Sequence, residues 1–198
     1  MNFKILLTIL SLIFFSTTVY AAPNPKITVE AAEFVISLMK SASGLKHLHN
    51  KYHQEDALLY LVRQSFDIPL VARFVMGRYW RKATVQQRYE FLEVFEHAAV
   101  RTFSPLIKGV SLDNFEIVRV NFNLKKNKIK ASVYSTLVIE DRVIKIRWML
   151  RDYGDGFQII DIIAEGISLI VTLRSEYTTY IKNHSIDDLI INLQKQGD

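Results

Sequence analysis

The sequence contains no cysteine, which excludes disulfides, thiolate metal sites and a cysteine nucleophile together. The fold must therefore hold by packing alone. Charge of one sign is also lacking: 25 Lys and Arg stand against 20 Asp and Glu, for a net charge of +5. So mild and diffuse an excess suits an anionic partner or a membrane surface and does not mark a nucleic-acid binder. The phosphate-cradling G-x-x-x-x-G-K-[ST] and G-x-G-x-x-G loops are missing, as is a G-x-S-x-G nucleophile elbow. Repeats, low-complexity tracts and long linkers are missing too.

What is present begins with an address. Lys4 makes a short positive region, residues 5–15 an apolar run broken by Thr8 and Ser11, and Val19-Tyr20-Ala21 a small-residue cleavage pattern. This predicts a secretory signal peptide over residues 1–21, cut after Ala21. The run falls short of the about 20 apolar residues that cross a bilayer comfortably, and no cysteine follows it to carry a lipid anchor. Residues 22–198 are then expected to form one domain, long enough to bury a core. A secreted address argues further against nucleic acid as a partner.

The mature chain opens with helical periodicity. A helix is expected from Thr28, with Ala31, Phe34, Val35, Leu38 and Met39 on one face before Gly44, and a second over residues 54–65 with Leu58, Leu59, Leu61 and Val62 as a broader apolar surface. Asp67 is a credible N-cap, Pro69 suits a first turn and Gly77 supplies a stop. Thr84 and Gln87 read as a capping box opening a long helix from Val85 to near Ser104-Pro105, with Phe91, Phe95, Ala98 and Thr102 at helical spacing. Between these helices lies a basic aromatic corner, Arg78, Tyr79, Trp80, Arg81 and Lys82, which can bury its rings while its cations reach water.

From residue 114 to 164 the period changes to that of strands: FEIVRVNF, IKASVYSTLVI, VIKIRWMLR and FQIIDIIA, with turns at residues 125–128, at Glu140-Asp141 and at residues 153–156. A two-residue loop at Glu140-Asp141 sets Leu137 opposite Ile144, Ser135 opposite Ile146, Val133 opposite Trp148 and Ala131 opposite Leu150 on an oily face. Thr136 with Lys145, Tyr134 with Arg147, and Lys130 with Arg151 then make the polar face. Pairing the next strand so that Arg147 meets Asp161 puts Ile160, Ile162 and Ala164 on the oily side, and a one-residue slip would exchange the faces. Gly166 breaks that strand, and Ser168 and Ser185 read as caps of two last helices. Helices, a meander and helices again predict an α+β domain with helices on one face of an antiparallel sheet.

Candidate chemistry is sparse. His47, His49 and His53 offer nitrogens at a spacing that zinc or copper accepts, yet no cysteine accompanies them and metal sites usually draw on more than one local segment, so a solvated connection between helices explains them more simply. Asp161 with His97 or His184 would make an acid/base pair if the fold joined them; a cross-strand pair with Arg147 is the simpler expectation. What abounds is apolar surface, 49% of residues with 12 Phe. Small residues on the oily sheet face, Ala131, Ser135 and Ala164, fit either an interdigitated core or a cavity, and periodicity alone does not separate the two.

The run ARFVMGRYWRKATVQQRYEF, the strand ending FQIIDI, the AEGISL segment and LRSEY resemble, in that order, the MlaC family of periplasmic phospholipid-binding proteins, also called toluene-tolerance proteins. Ala164 stands where a valine is usual, and Leu173 where an aromatic is. The resemblance spans nearly all of the mature chain. It implies a curved sheet of about four strands against helices, similar to the nuclear transport factor superfold with an added helical part and an internal apolar cavity. It implies a carrier that maintains outer-membrane lipid asymmetry and not an enzyme, a lyase, isomerase or lipid-modifying enzyme on the same fold being the alternative. No cofactor is expected beyond phospholipid held as cargo. The implied protein partners are an outer-membrane lipoprotein and porin complex and an inner-membrane ABC transporter with an MCE-domain ring. With the face assignment above, the residues expected to meet lipid are Val133, Ser135, Leu137, Ile144, Ile146, Trp148, Leu150, Ile160, Ile162 and Ala164 from the sheet, and Phe66, Leu70, Phe74, Phe95 and Leu169 from the helices. Arg78, Arg81 and Lys82 are the expected docking cations.

Overall fold

A computed structural model describes residues 25–45, 47–48, 50–108, 111–125 and 128–196; the predicted signal peptide lies outside them. Helix α1 spans Pro25–Leu45 and buries Ala31, Val35, Met39 and Ala42. It runs past Gly44, whose Cβ position meets open space, since one glycine costs a helix only about 1 kcal/mol. Helix α2, Lys51–Ser65, starts three residues earlier than the apolar pattern predicts because Asn50 caps it, its side chain accepting from the Tyr52 N–H at 2.9 Å. Helix α3, Ile68–Met76, opens on Asp67, whose carboxylate accepts from the Leu70 N–H at 3.0 Å. It stops at Gly77, where φ is +55° and an added Cβ would lie 3.1 Å from the Arg174 guanidinium. The positive φ demands glycine, and a side chain there would also have to displace the Arg174 guanidinium slightly.

The basic aromatic corner is itself a short helix, α4, Arg78–Lys82. Thr84 and Gln87 then bond reciprocally at 3.0 and 3.1 Å, the capping box foreseen, and open α5, Val85–Lys108. Pro105 does not end α5. It falls in the last turn, where a single backbone hydrogen bond is forfeited.

Strands β1 (Phe115–Lys125), β2 (Lys128–Ile139), β3 (Arg142–Asp152), β4 (Phe157–Ala164) and β5 (Ile167–Ser168) lie in that order in one antiparallel sheet, the fifth only two residues long. Glu140 and Asp141 have φ of 48° and 61°, the left-handed pair of a two-residue hairpin turn. That turn sets the β2–β3 register, and every pair foreseen there is present: Leu137 with Ile144, Ser135 with Ile146, Val133 with Trp148, Ala131 with Leu150, and on the other face Tyr134 with Arg147.

The β3–β4 register differs. Arg147 meets Ile163, Met149 meets Asp161 and Trp148 meets Ile162, and the pairing shifts between Met149 and Leu150, where Leu150 meets Ile159. Ile160 is the extra residue of a β-bulge, which exchanges the faces beyond it. Ile162 and Ala164 therefore keep the oily side, while Ile159 and Phe157, not Ile160, continue it. A second bulge at Val118 interrupts β1. Helices α6 (Leu169–Asn183) and α7 (Ile186–Lys195) close the chain, capped as expected by Ser168 and Ser185, which accept from the Val171 and Asp188 N–H groups at 3.1 and 3.0 Å.

Two apolar clusters result. One joins α2, α3, α5, α6 and α7 around Phe91, Phe95 and Met76; the other packs α1 on the inner sheet face around Val133, Leu150 and Ile159. Phe66, at the end of α2, packs against both.

Candidate functional site

Where the two clusters part, they leave a cavity of about 650 Å³. This lies within the range of about 300–1,000 Å³ typical of small-molecule sites. Helix α1 contributes Leu38, Met39 and Ala42 to its wall, α2 Leu58, Leu61 and Val62, and the sheet Leu137, Ile139, Ile144, Ile146, Trp148, Ile162 and Ala164, with Phe66 and Leu169 between them. Its polar lining side chains among the described residues are Glu140, Arg142 and Thr172, which together with Ile167 stand at the β2–β3 turn and the start of β3, at the start of β5 and in the first turn of α6. All four are exposed and form the rim. The interior is greasy and the charge is at the opening.

The floor is quenched chemically. The Trp148 indole N–H donates to the Ser135 hydroxyl at 2.9 Å, both side chains being buried, so neither presents an unpaired polar group to the cavity. The same bond explains why Ser135 leaves no room there: it is 2% exposed and spent as a partner. No nucleophile faces a base among the described lining residues. Thr172 lends its hydroxyl proton to the Ser168 carbonyl at 2.9 Å.

Of the residues expected to meet lipid, Leu137, Ile144, Ile146, Trp148, Ile162, Ala164, Phe66 and Leu169 line the cavity. Val133 and Leu150 are fully buried in the packed sheet core, and Ile160 sits at the bulge. Leu70 is half-buried on α3, and Phe74 is exposed under the Arg174 guanidinium, 4.7 Å from its ring centroid. Phe95 belongs to the helical core and lines only a void of about 20 Å³, which shares Phe66, Ile162 and Leu169 with the main cavity. The α1 and α2 wall was not foreseen as such. Its signal was the apolar surface of α2, broader than one packed face requires.

The other candidates do not assemble. Asp161 accepts from the Ser168 hydroxyl at 2.6 Å and the Ile170 N–H at 3.3 Å, so it anchors the start of α6 and pairs neither with Arg147 nor with a histidine. His97 is exposed on α5, and His184 stacks on Tyr180 at 4.5 Å. His47 and His53 are exposed and His49 lies outside the described residues; among those described, no group of three metal-ligating side chains converges. At the corner Arg78, Arg81 and Lys82 are exposed, with Arg78 and Lys82 over the Tyr79 ring at 5.0 and 5.9 Å. Trp80 is half-buried, held by Arg88, which donates to its carbonyl at 2.9 Å.

The outer sheet face carries a cation–aromatic ladder. Arg119 lies 4.1 Å and Arg147 5.9 Å from the centroid of Tyr134, and the Arg147 guanidinium holds the Tyr134 hydroxyl below its ordinary phenol range.

An α+β fold whose sheet and helices part around an apolar, rim-charged cavity defines the class of a hydrophobic-ligand binder. The chain belongs to the MlaC family: the family model described as MlaC protein matches residues 30–195. The fold is shared with a solved phospholipid-binding protein from Ralstonia solanacearum, captured in complex with a phospholipid, at a TM-score of 0.67 and 19% identity over 86% of this chain and 96% of that one. No curated protein matches the sequence. Among the described residues no helix is long and apolar enough to cross a membrane.

Proposed function

We propose that this chain is a periplasmic carrier that shelters phospholipid acyl chains in the cavity between α1, α2 and the sheet, and moves lipid between membrane complexes to sustain outer-membrane asymmetry. The observation that carries the reading is the lining itself: apolar throughout, about 650 Å³, with charge only at the rim. A buried methylene is worth about 0.8 kcal/mol, so one chain of about 16 carbons needs about 13 kcal/mol of shelter from water. Free diffusion of such a lipid is negligible, and a protein that covers the tail while leaving the head at the opening needs no catalytic group.

Family membership and the Ralstonia protein's bound phospholipid support the cargo. The docking partners this reading requires are an outer-membrane lipoprotein and porin complex at one end and an inner-membrane ABC transporter with an MCE-domain ring at the other. Mass spectrometry of gently purified protein is the test. Near-stoichiometric intact phospholipid is expected, on a polypeptide beginning at Ala22. Hydrolysed or altered lipid would point to an enzyme, and an empty protein would refute the carrier.

A further inference from the structure

We propose that Glu140 and Arg142 form a headgroup subsite at the mouth of the cavity that favours zwitterionic aminophospholipid over phospholipid with a net negative head. This rests on the carrier reading and adds selectivity to it. Both residues line the cavity and both are exposed. Their positions are set by the backbone: Glu140 is the first left-handed residue of the β2–β3 turn, and Arg142 pairs across that hairpin with Ile139, another lining residue.

Arg142 therefore has an apolar wall to lay its stem along, with its guanidinium at the water end. Neither side chain has a hydrogen bond or ion pair among the described residues. The third polar group of the rim, Thr172, has its proton committed to Ser168. Glu165 in the neighbouring turn accepts from the Lys145 N–H, so its carboxylate is engaged outside the mouth.

The mouth lining thus presents one cation and one anion, with no net charge. A lipid whose tail is in the cavity must leave its phosphodiester at this rim, where a guanidinium is the matching donor. Two carbons beyond that phosphate, phosphatidylethanolamine carries an ammonium for which Glu140 is the complement. Phosphatidylglycerol offers a hydroxyl there and keeps its full negative charge, which Glu140 repels. Selectivity arises from the like-charge element as much as from the attractive one.

The test loads the full chain from vesicles containing equal phosphatidylethanolamine and phosphatidylglycerol with identical acyl chains, and reads the bound ratio by mass spectrometry. The wild type is expected to favour phosphatidylethanolamine. Glu140→Gln and Glu140→Lys should move the ratio toward phosphatidylglycerol by about two- to five-fold, the scale of one solvated charge contact. Asp141→Asn, which alters the same turn off the lining, should leave it unchanged. A wild-type preference for phosphatidylglycerol, an unmoved ratio in both Glu140 variants at normal lipid content, or an equal shift in Asp141→Asn would each overturn the subsite while leaving the carrier intact. Absence of any bound phospholipid in the wild type would instead refute the carrier reading itself.

Discussion

At the scale of single residues, polar atoms are spent on holding the two apolar clusters in place. Ser135 was legible as a small residue on the oily face but not as the acceptor of the Trp148 indole, because that bond runs diagonally between the pairs Ser135–Ile146 and Val133–Trp148 and alternation only names faces. Asp161 stands opposite Arg147 only in an assumed β3–β4 register; in the observed one it faces Met149, and its carboxylate supports the Ser168 cap and the Ile170 N–H at the start of α6. Tyr177 gives a prediction at this scale. It is buried against Phe91 and Phe95, edge-on to both rings, and that burial, helped by Glu176 and opposed by Arg101, pushes its phenol up to about 12. The raised folded value means that the stability tied to neutral Tyr177 is fully present below about pH 10, the ordinary phenol value, and is lost as pH climbs from there through about 12. Tyr177→Phe should flatten the fall in urea stability across that alkaline window relative to wild type. An unchanged alkaline slope would mean that Tyr177 titrates like an exposed phenol.

At the scale of elements, legibility followed the strength of local rules. The β2–β3 hairpin could be registered residue by residue because a two-residue loop leaves no freedom. The capping box at Thr84 and the caps at Asp67, Ser168 and Ser185 were equally plain, each being a short polar residue just before a helical period. The β3–β4 register was not, since nothing local fixes it. The doublet Ile159-Ile160 did not mark it either, since Ile162-Ile163 in the same strand pairs regularly.

The corner α4 belongs to this scale too. Its cations are exposed and lie over Tyr79, while Trp80 is packed on the helical core, so charge and fold separate along five residues. Exposed charges of this kind are worth little to stability. Docking on a membrane complex is the use we propose for Arg78, Arg81 and Lys82. Arg81→Glu should therefore keep its urea midpoint close to wild type and lose partner capture in a pull-down; undiminished capture would remove the corner from the docking surface.

At the scale of the whole molecule, the α+β order and the division into sheet and helical layers were legible in the change of period at residue 114. A cavity was not. An apolar face reads the same whether the opposite layer touches it or stands away, and the distance between layers depends on bulges and helix placement that no periodicity encodes. If the space facing Ile146 and Ile162 holds acyl chain, a substitution at Ile146 must disturb the lipid before it disturbs the fold. In a close-packed core, Ile→Trp overpacks and costs about 1–3 kcal/mol or more; in a lipid slot the ring takes volume that the tail used. The measurement is phospholipid bound per polypeptide, by native mass spectrometry, in Ile146→Trp beside wild type, with circular dichroism reporting the fold and Lys145→Trp, on the opposite sheet face, as control. Ile146→Trp is expected to fold and to lose most of its lipid, and Lys145→Trp to keep wild-type content. A stable Ile146→Trp that keeps its full lipid, or one that unfolds while its surviving fraction stays loaded, would contradict acyl-chain occupancy of that space.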